Sequence, residues 1–213
     1  MNKNFEYVPH HVAHHFDSAE QEFGAAKLGM WVFLVQEILF FGGLFVAYAI
    51  FRYLFPDMFI GASKVLSWKL GTLNTIFLIT SSFTMAMGIR SAQTNQRQAS
   101  IAYLSATFMF ALGFLVVKYI EYSAKLHHGI WPLHWSAGPE YDGLQLFFGI
   151  YYALTGLHGL HVLIGMCLIG WIIYRSTKNE FYSEYYTPVE MVGLYWHLVD
   201  LIWIFLFPLL YLI

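Results

Sequence analysis

Five long apolar stretches alternate with short polar connections along the chain. They lie at about residues 28–51, 70–89, 99–121, 144–174 and 188–213. A helix of about 20 residues, rising 1.5 Å per residue, is long enough to cross the hydrocarbon core of a bilayer. The pattern therefore predicts an all-α fold, a polytopic membrane bundle of five transmembrane helices. Because the connections are short, we expect successive helices to pack as antiparallel neighbours.

Composition supports a membrane protein. Hydrophobic residues make up 58% of the 213 residues and charged residues only 11%, whereas soluble domains have roughly 25% charged residues. The net charge is only -2, and the sequence contains no block of like charge. Both observations argue against nucleic acid as a partner. The single cysteine, Cys167, excludes an intrachain disulfide and any site built from several cysteines.

The first 26 residues form a polar leader, and residues 27–213 form one membrane domain. This leader lacks the short apolar stretch of a secretory signal, so we expect it to be retained. A helix start is expected at Asp17 or Ser18, followed by Glu20 and Gln21. The leader is rich in histidine, for which we expect adventitious metal binding only, because no fourth ligand is enforced. These histidines are His10, His11, His14 and His15.

Five spans place the two termini on opposite faces of the membrane, and basic residues mark the cytoplasmic face. The amino-terminal face carries Lys3, Lys27, Arg90, Arg97, Arg175 and Lys178, and the opposite face carries Arg52, Lys64, Lys69 and Lys125. We therefore expect the amino terminus in the cytoplasm. Trp131, Trp135 and Tyr141 would then lie at the outer interface, where aromatic rings are favoured.

Ionisable residues inside the spans are the candidates for function, because a charge near the bilayer centre costs a few kcal/mol unless it has a partner. Glu37 lies about ten residues into the first span. One interpretation is a carboxylate that handles protons or faces a lipid headgroup. The other is a structural carboxyl that bonds to a neighbouring helix, and the sequence leaves both open.

The fourth span contains TGLHGLHVLIG, in which His158 and His161 share a narrow polar face with Thr155. Gly156 and Gly159 flank this face, so we expect another helix to approach closely there. The fifth span repeats the pattern in a second stripe that must face protein. The stripe consists of Glu190, Gly193, His197 and Asp200, within about 80° of one another around the helix.

We expect this stripe to lie against the histidines of the fourth span and to satisfy them by mutual hydrogen bonds. The opposite side of the same helix would be an aromatic and aliphatic surface that includes Trp196 and Trp203. At the end of the third span, Lys118 and Glu121 are three residues apart, and Glu121 and Lys125 form an i,i+4 pair in the favourable order. They predict an ion-paired helix end, with snorkelling lysine stems.

The three histidines inside the spans do not predict a metal centre. His158 and His161 are one turn apart on one helix, so they cannot occupy opposite sides of one haem. His197 is the only other histidine well inside a span, so a copper centre of several histidines cannot be assembled. We expect no catalytic residue and no metal site in this chain.

Taken together, these stretches resemble the subunit III family of haem-copper oxidases, most closely the cytochrome c oxidase branch. The resemblance runs from about Lys27 to the carboxyl end. It rests on KLGMWVFLVQEILFFGGLF, on LNTIFLITSS from Leu73, on KYIEY from Lys118, on TGLHGLHVLIG, and on VEMVGLYWHLVDLIWIFLF from Val189. The last two motifs are highly specific.

The resemblance implies an accessory subunit without a redox centre, in the inner membrane of a bacterium, with its carboxyl terminus in the periplasm. Its partners would be oxidase subunits I and II, which carry the haem and copper, and phospholipids bound in a cleft between helices. It would support proton uptake and the long-term integrity of the oxidase; membership of a larger respiratory supercomplex stays open. The implied lipid-binding or structural positions are Glu37, Glu121, His158, His161, Glu190, His197 and Asp200.

Two features depart from the longer family members. The longer members have seven helices, and we expect this chain to correspond to the last five, so the lipid cleft would be shaped differently or completed by another chain. Lys118 stands where many relatives have an uncharged polar residue, so its ion pair with Glu121 would replace a neutral hydrogen bond.

Three alternatives remain. Subunit III of a quinol oxidase shares the fold, although Glu37 followed by FFGGLF favours the cytochrome c branch. An independent proton or ion transporter would use the carboxylate and histidines as a path, but the chain lacks the pair of broken helices expected for a midplane site. A membrane cytochrome b would require haem in the isolated chain.

Overall fold

The chain folds into helices throughout the part that is described. The computed structural model describes residues 12, 14, 16–131, 136–138, 141 and 143–213. Within these residues there are six helices: α1 (Ala19–Leu54), α2 (Pro56–Ser63), α3 (Trp68–Gln93), α4 (Arg97–His127), α5 (Gln145–Thr177) and α6 (Thr187–Tyr211). All except α2 are long and apolar enough to cross a membrane. The predicted all-α bundle with five transmembrane helices is confirmed.

The first helix begins earlier than the first apolar stretch. Ser18 is its N-cap, and the Ser18 hydroxyl accepts a hydrogen bond from the backbone N–H of Gln21 at 3.2 Å. In return, the Gln21 side chain accepts from the backbone N–H of Asp17 at 2.7 Å. This reciprocal capping satisfies donors that have no partner within the helix. It confirms the predicted start at Ser18 and places the last residues of the polar leader inside α1.

A short helix after the first span was missed by the sequence pattern. Pro56 ends α1, because the residue before a proline is disfavoured in helical conformation, and it then starts α2 at the position where proline is tolerated. The ring of Phe59 is fully buried between Tyr48 of α1 and Phe147 of α5, with centroid separations of 5.3 and 5.2 Å. This helix therefore packs onto one end of the bundle and does not cross it.

The helices α3, α4, α5 and α6 form a closed ring of neighbours, and α1 packs outside it against α6. The short connections predicted that each pair of successive spans packs as neighbours. This prediction is wrong for α1 and α3. The chain travels through α2 before α3 begins, which lets α1 lie on α6. The Tyr48 hydroxyl of α1 also donates to the Leu209 carbonyl of α6. Much of the outer face of α1 is exposed, including Trp31, Val35 and Leu39, as expected for a lipid-facing rod.

Helix α6 is the most buried of the five spans and contacts α1, α3 and α5. Trp196 and Trp203 are fully buried, and their indole N–H groups donate to Ser81 and Thr75 of α3, both at 3.1 Å. The aromatic surface that was expected to include them is therefore buried against α3 at these two positions. The indole N–H of a buried tryptophan needs an acceptor, and the hydroxyls of α3 supply one for each ring.

The close approach of α5 and α6 occurs at Gly165. A Cβ atom added there would lie 2.7 Å from Cε3 of Trp196, so only glycine leaves room for this ring. Gly156 and Gly159, which were expected to admit another helix, have nothing within 4 Å of such an atom. The expectation that they allow close packing is wrong, because they lie on a more exposed side of α5.

Two side chains tie the helix ends together on the amino-terminal face. Asn95, in the left-handed region with φ of 58°, exchanges two hydrogen bonds with Ser183, at 3.1 and 2.7 Å. The Arg97 guanidinium donates to the carbonyls of Ser176 and Thr177 at 2.9 and 2.6 Å. A cation at the carboxyl end of α5 satisfies carbonyls that lack helical partners and complements the helix dipole. These contacts join the α3–α4 turn to the end of α5 and the α5–α6 loop.

We expect Gly165→Ala to lower the free energy of unfolding by about 1–3 kcal/mol, because the new methyl group overlaps a rigid, buried indole ring. The measurement is the temperature at which the detergent-purified chain loses its monodisperse peak in fluorescence-detected size-exclusion chromatography. Gly159→Ala is the matched control, since its methyl group meets open space on the same helix. Equal transition temperatures for the two variants would contradict the proposed Gly165–Trp196 contact.

Candidate functional site

Three ionisable side chains of α4 meet in the interior of the bundle. The two carboxylate oxygens of Glu121 accept from the ammonium groups of Lys118 at 3.0 Å and Lys125 at 2.8 Å. Tyr211 of α6 donates to the same carboxylate, at 2.8 and 2.9 Å to its two oxygens. Lys118 donates to the Tyr151 hydroxyl of α5 at 3.2 Å. We call these five residues the Glu121 cluster; they join α4, α5 and α6.

The Glu121 cluster is buried. The side chains of Lys118, Glu121 and Lys125 are only 8%, 3% and 7% exposed. Moving an ion out of water costs several kcal/mol, which is recovered only when good geometry and further hydrogen bonds satisfy the charge. Here two ammonium groups share one carboxylate, phenol hydroxyls complete the hydrogen bonding, and the Lys118 ammonium lies 4.9 Å from the ring centre of Trp203.

The predicted ion pair of Lys118 and Glu121 is confirmed, but the snorkelling expected of its lysines is wrong. Both ammonium groups turn inward, because the carboxylate and two phenols there replace water. The predicted i,i+4 pair of Glu121 with Lys125 is also confirmed. Lys125 was counted as a charge of the outer face, yet it lies buried in the last turns of α4. Nothing in the local pattern pointed to Tyr211.

Glu37 meets a histidine of a different helix. Its carboxylate lies 3.1 Å from Nε2 of His161 on α5, and Nδ1 of the same ring lies 2.7 Å from the Leu157 carbonyl. Since a carbonyl only accepts, Nδ1 carries hydrogen and donates to it. The Nε2 contact is then an imidazolium–carboxylate pair or a neutral carboxyl–imidazole bond, each of which holds one proton between α1 and α5. This bond to a neighbouring helix agrees with the interpretation of Glu37 as a structural carboxyl.

His158 occupies an aromatic enclosure. Its ring is fully buried beside Phe114 of α4 and Trp203 of α6, at centroid separations of 5.4 and 5.2 Å. Neither ring nitrogen has a hydrogen-bond partner among the described residues. His161 points instead to α1, so the two histidines contact different helices although both belong to one polar face.

The polar stripe of α6 contacts α1 and α3. Glu190 pairs with Lys27 at 3.4 Å, and His197 Nδ1 lies 2.7 Å from the Ser82 hydroxyl. Asp200 is buried, and its oxygens have no hydrogen-bond partner in the described part of the chain. The predicted mutual bonding of this stripe with the α5 histidines is therefore wrong. The stripe does face protein, but α5 meets a different side of α6, through Gly165 and the ring of Trp196.

These positions do not converge on a metal. Among the described residues, no group of three or more His, Cys, Asp or Glu side chains is arranged to hold a metal ion. His158, His161 and His197 face an aromatic enclosure, α1 and α3 respectively. Of the histidine-rich leader, His14 is described and exposed. His10, His11 and His15, and the predicted interface residue Trp135, lie outside the described residues.

The fold and these contacts define a polytopic α-helical membrane protein whose ionisable side chains join its helices. The chain belongs to the cytochrome c oxidase subunit III family, whose sequence profile matches residues 11–213. This confirms the resemblance seen in the sequence.

Curated relatives extend the same comparison. The chain is 34% identical to cytochrome c oxidase subunit 3 of Thermostichus vulcanus, over 92% of each chain. It is 36% identical to that of Synechocystis, over 87% of this chain and 74% of the relative. It is 27% identical to subunit 3 of the cytochrome bo(3) ubiquinol oxidase of Pseudomonas putida, over 87% and 84%.

We expect Glu121→Gln to destabilise the chain by about 3–5 kcal/mol, because it leaves two buried ammonium groups without a counter-charge. Lys118→Gln should cost less, since Glu121 keeps its pair with Lys125. Thermal transition temperatures in detergent measure both effects. Glu20→Gln, at an exposed position of α1, is the control and should be nearly neutral. A larger loss for Lys118→Gln than for Glu121→Gln would contradict the predicted order.

Proposed function

We propose that this chain is the accessory, non-redox subunit III of a bacterial haem-copper oxygen reductase that takes electrons from cytochrome c. The observation that carries the proposal is the family match across residues 11–213. The polar contacts agree with it, because the ionisable side chains inside the spans lie at contacts between helices. In this role the subunit stabilises the catalytic chain and supports proton uptake during aerobic electron transport.

Cytochrome c as electron donor is favoured by the relatives. The two cytochrome c oxidase subunits share 34% and 36% identity with this chain, and the ubiquinol oxidase subunit shares 27%. The partners are then oxidase subunits I and II, which hold the haem and copper. A quinol oxidase is the second candidate, because a relative of that type also aligns with most of this chain.

The proposed location is the cytoplasmic membrane of a bacterium, with the amino terminus inside and the carboxyl terminus in the periplasm. The positive-inside rule supports this orientation. With Lys125 buried in its ion pair, the charge difference between the faces increases. Basic residues at the amino-terminal face are Lys3, Lys27, Arg90, Arg97, Arg175 and Lys178, against Arg52, Lys64 and Lys69 at the other face.

Glu37 and His161 are proposed to form part of a phospholipid-binding surface on α1 and α5. Their side chains are 12% and 14% exposed, so the pair is reached from one side. Around it α1 presents apolar side chains outward, including Leu39 and Val46, as a surface for acyl chains would. The other polar positions, His158, Glu190, His197 and Asp200, are proposed to have structural roles.

We expect the chain, extracted in mild detergent, to co-purify with larger subunits that contain haem and copper. Reduced cytochrome c should drive oxygen consumption by this complex, and a quinol should not. Mass spectrometry of the partners and oxygen-electrode measurements with each donor test this. If the oxidase purified complete without this chain, the subunit assignment would fail, and oxidation of a quinol alone would move it to the quinol branch.

We expect Glu37→Ala to change phospholipid retention or the number of turnovers before inactivation, with little effect on the initial rate of electron transfer. The physical reason is that the variant removes one partner of a helix–helix contact beside the lipid-facing surface and touches no redox centre in this chain. Bound lipid is measured by mass spectrometry and lifetime by continuous oxygen uptake.

Gln36→Ala is the control for Glu37→Ala, because Gln36 is the adjacent polar side chain and is exposed. Immediate loss of haem reduction in Glu37→Ala, with Gln36→Ala unaffected, would contradict the proposed role.

A further inference from the structure

A groove with a polar floor opens between α3 and α6. Its volume is about 410 Å³. Ser82, His197 and Asp200 line it, and the exposed side chains of Phe83 and Ile204 form part of its apolar rim. We call it the α3/α6 groove. It contains none of the residues of the Glu121 cluster or of the Glu37–His161 pair.

The α3/α6 groove lies near the middle of both helices. Ser82 is 14 residues after Trp68 and 11 before Gln93. Asp200 is 13 residues after Thr187 and 11 before Tyr211. At 1.5 Å per residue these positions are roughly 16–21 Å from either helix end, so the floor lies at the depth of the hydrocarbon core of a bilayer.

Asp200 is the unusual member of the floor. The residue is only 4% exposed, and neither carboxyl oxygen has a hydrogen-bond partner among the described residues. Ser81 and Ser82 are its polar neighbours, but neither hydroxyl is placed to form a hydrogen bond with a carboxyl oxygen. Ser81 donates to the Leu78 carbonyl and accepts from Trp196, and the Ser82 hydroxyl lies 2.7 Å from Nδ1 of His197. A carboxyl without a partner at this depth is strongly destabilising.

The chemistry of the floor selects its occupant. An acyl chain has no hydrogen-bond donor, so a lipid filling the groove at this depth would leave Asp200 unsatisfied. A side chain with an N–H or O–H group can donate to Asp200 in either protonation state, because a carboxyl oxygen accepts in both. His197, with only Nδ1 bonded to Ser82, offers Nε2 for a second contact. Between helices in a membrane, such polar contacts stabilise association.

We propose that the α3/α6 groove receives a hydrogen-bond-donating side chain from a transmembrane helix of a neighbouring oxidase subunit, with Asp200 as the acceptor. The proposal rests on the proposed function, which supplies the neighbouring subunit. The apolar rim packs on the aliphatic surface of that helix, and the carboxyl fixes its position along the membrane normal.

The test places the photocrosslinking amino acid p-benzoylphenylalanine at Phe83 or Ile204 in the full chain, expressed with the complete oxidase and irradiated in native membranes. We expect an adduct with a membrane-spanning peptide of another oxidase subunit. Mapped by mass spectrometry, that peptide should carry a donor side chain within one helical turn of the crosslinked residue. A peptide without such a donor overturns the proposal.

A variant tests the carboxyl itself. Asp200→Leu in the Ile204 crosslinking chain should lower the protein adduct by about fivefold to tenfold, the size expected for loss of one interhelical hydrogen bond. Asp200→Asn, which keeps an acceptor oxygen, should retain more of the adduct than Asp200→Leu. An adduct that does not change in Asp200→Leu overturns the proposal. Replacing the donor of the partner helix by leucine should give the same loss. This second variant leaves Asp200 unchanged.

The remaining outcomes separate this proposal from the proposed function. Adducts with lipid alone, or with a second copy of this chain, overturn the groove proposal while co-purification with haem- and copper-bearing subunits keeps the subunit assignment. Absence of those subunits from the purified complex overturns the subunit assignment, and the groove proposal with it.

Discussion

Inside a bilayer, a polar side chain has no water to replace a missing partner, and most of this structure follows from that constraint. The Glu121 cluster is its clearest expression. One carboxylate on α4 binds two ammonium groups of the same helix, and tyrosines from α5 and α6 complete the hydrogen bonding. Because Tyr211 of α6 donates to Glu121 of α4 and Lys118 donates to Tyr151 of α5, the cluster holds these three helices in one arrangement.

The same constraint acts at other contacts between the helices. Indole N–H groups of α6 find hydroxyls on α3, and Glu37 of α1 finds His161 of α5. On the opposite face of the bundle, Asn95 and Arg97 join the α3–α4 turn to the end of α5 and the α5–α6 loop. These bonds distribute the polar residues over the interfaces, which suits a subunit that acts as a rigid neighbour of a catalytic chain.

Several buried polar groups of the described residues lack such partners, among them His158 and Asp200, whose surroundings differ. His158 is enclosed by aromatic rings, and a neutral imidazole in that position gains packing and ring contacts. Asp200 lines the α3/α6 groove, which is open at the surface of the bundle. The difference in access is the reason that Asp200, and not His158, is assigned a partner from outside the chain.

The sequence by itself determined the five spans, the all-α class, the family and the helix start at Ser18, because hydropathy, motif and capping signals are local along the chain. It also predicted the Lys118–Glu121 pair, whose members are three residues apart on one helix. It placed Glu37, His158, His161, His197 and Asp200 on faces of single helices. A helical wheel identifies such a face but does not identify the helix opposite.

Only the tertiary structure decided which faces meet. It put α1 on α6, brought Tyr211 to Glu121 across 90 residues, and turned His161 toward Glu37 while His158 entered an aromatic enclosure. The close approach at Gly165, and not at Gly156 or Gly159, depended on where the ring of Trp196 lies. Partner choice between helices depends on side-chain shape and on hydrogen-bond geometry across chain-distant segments, and neither is encoded in the periodicity of any one segment.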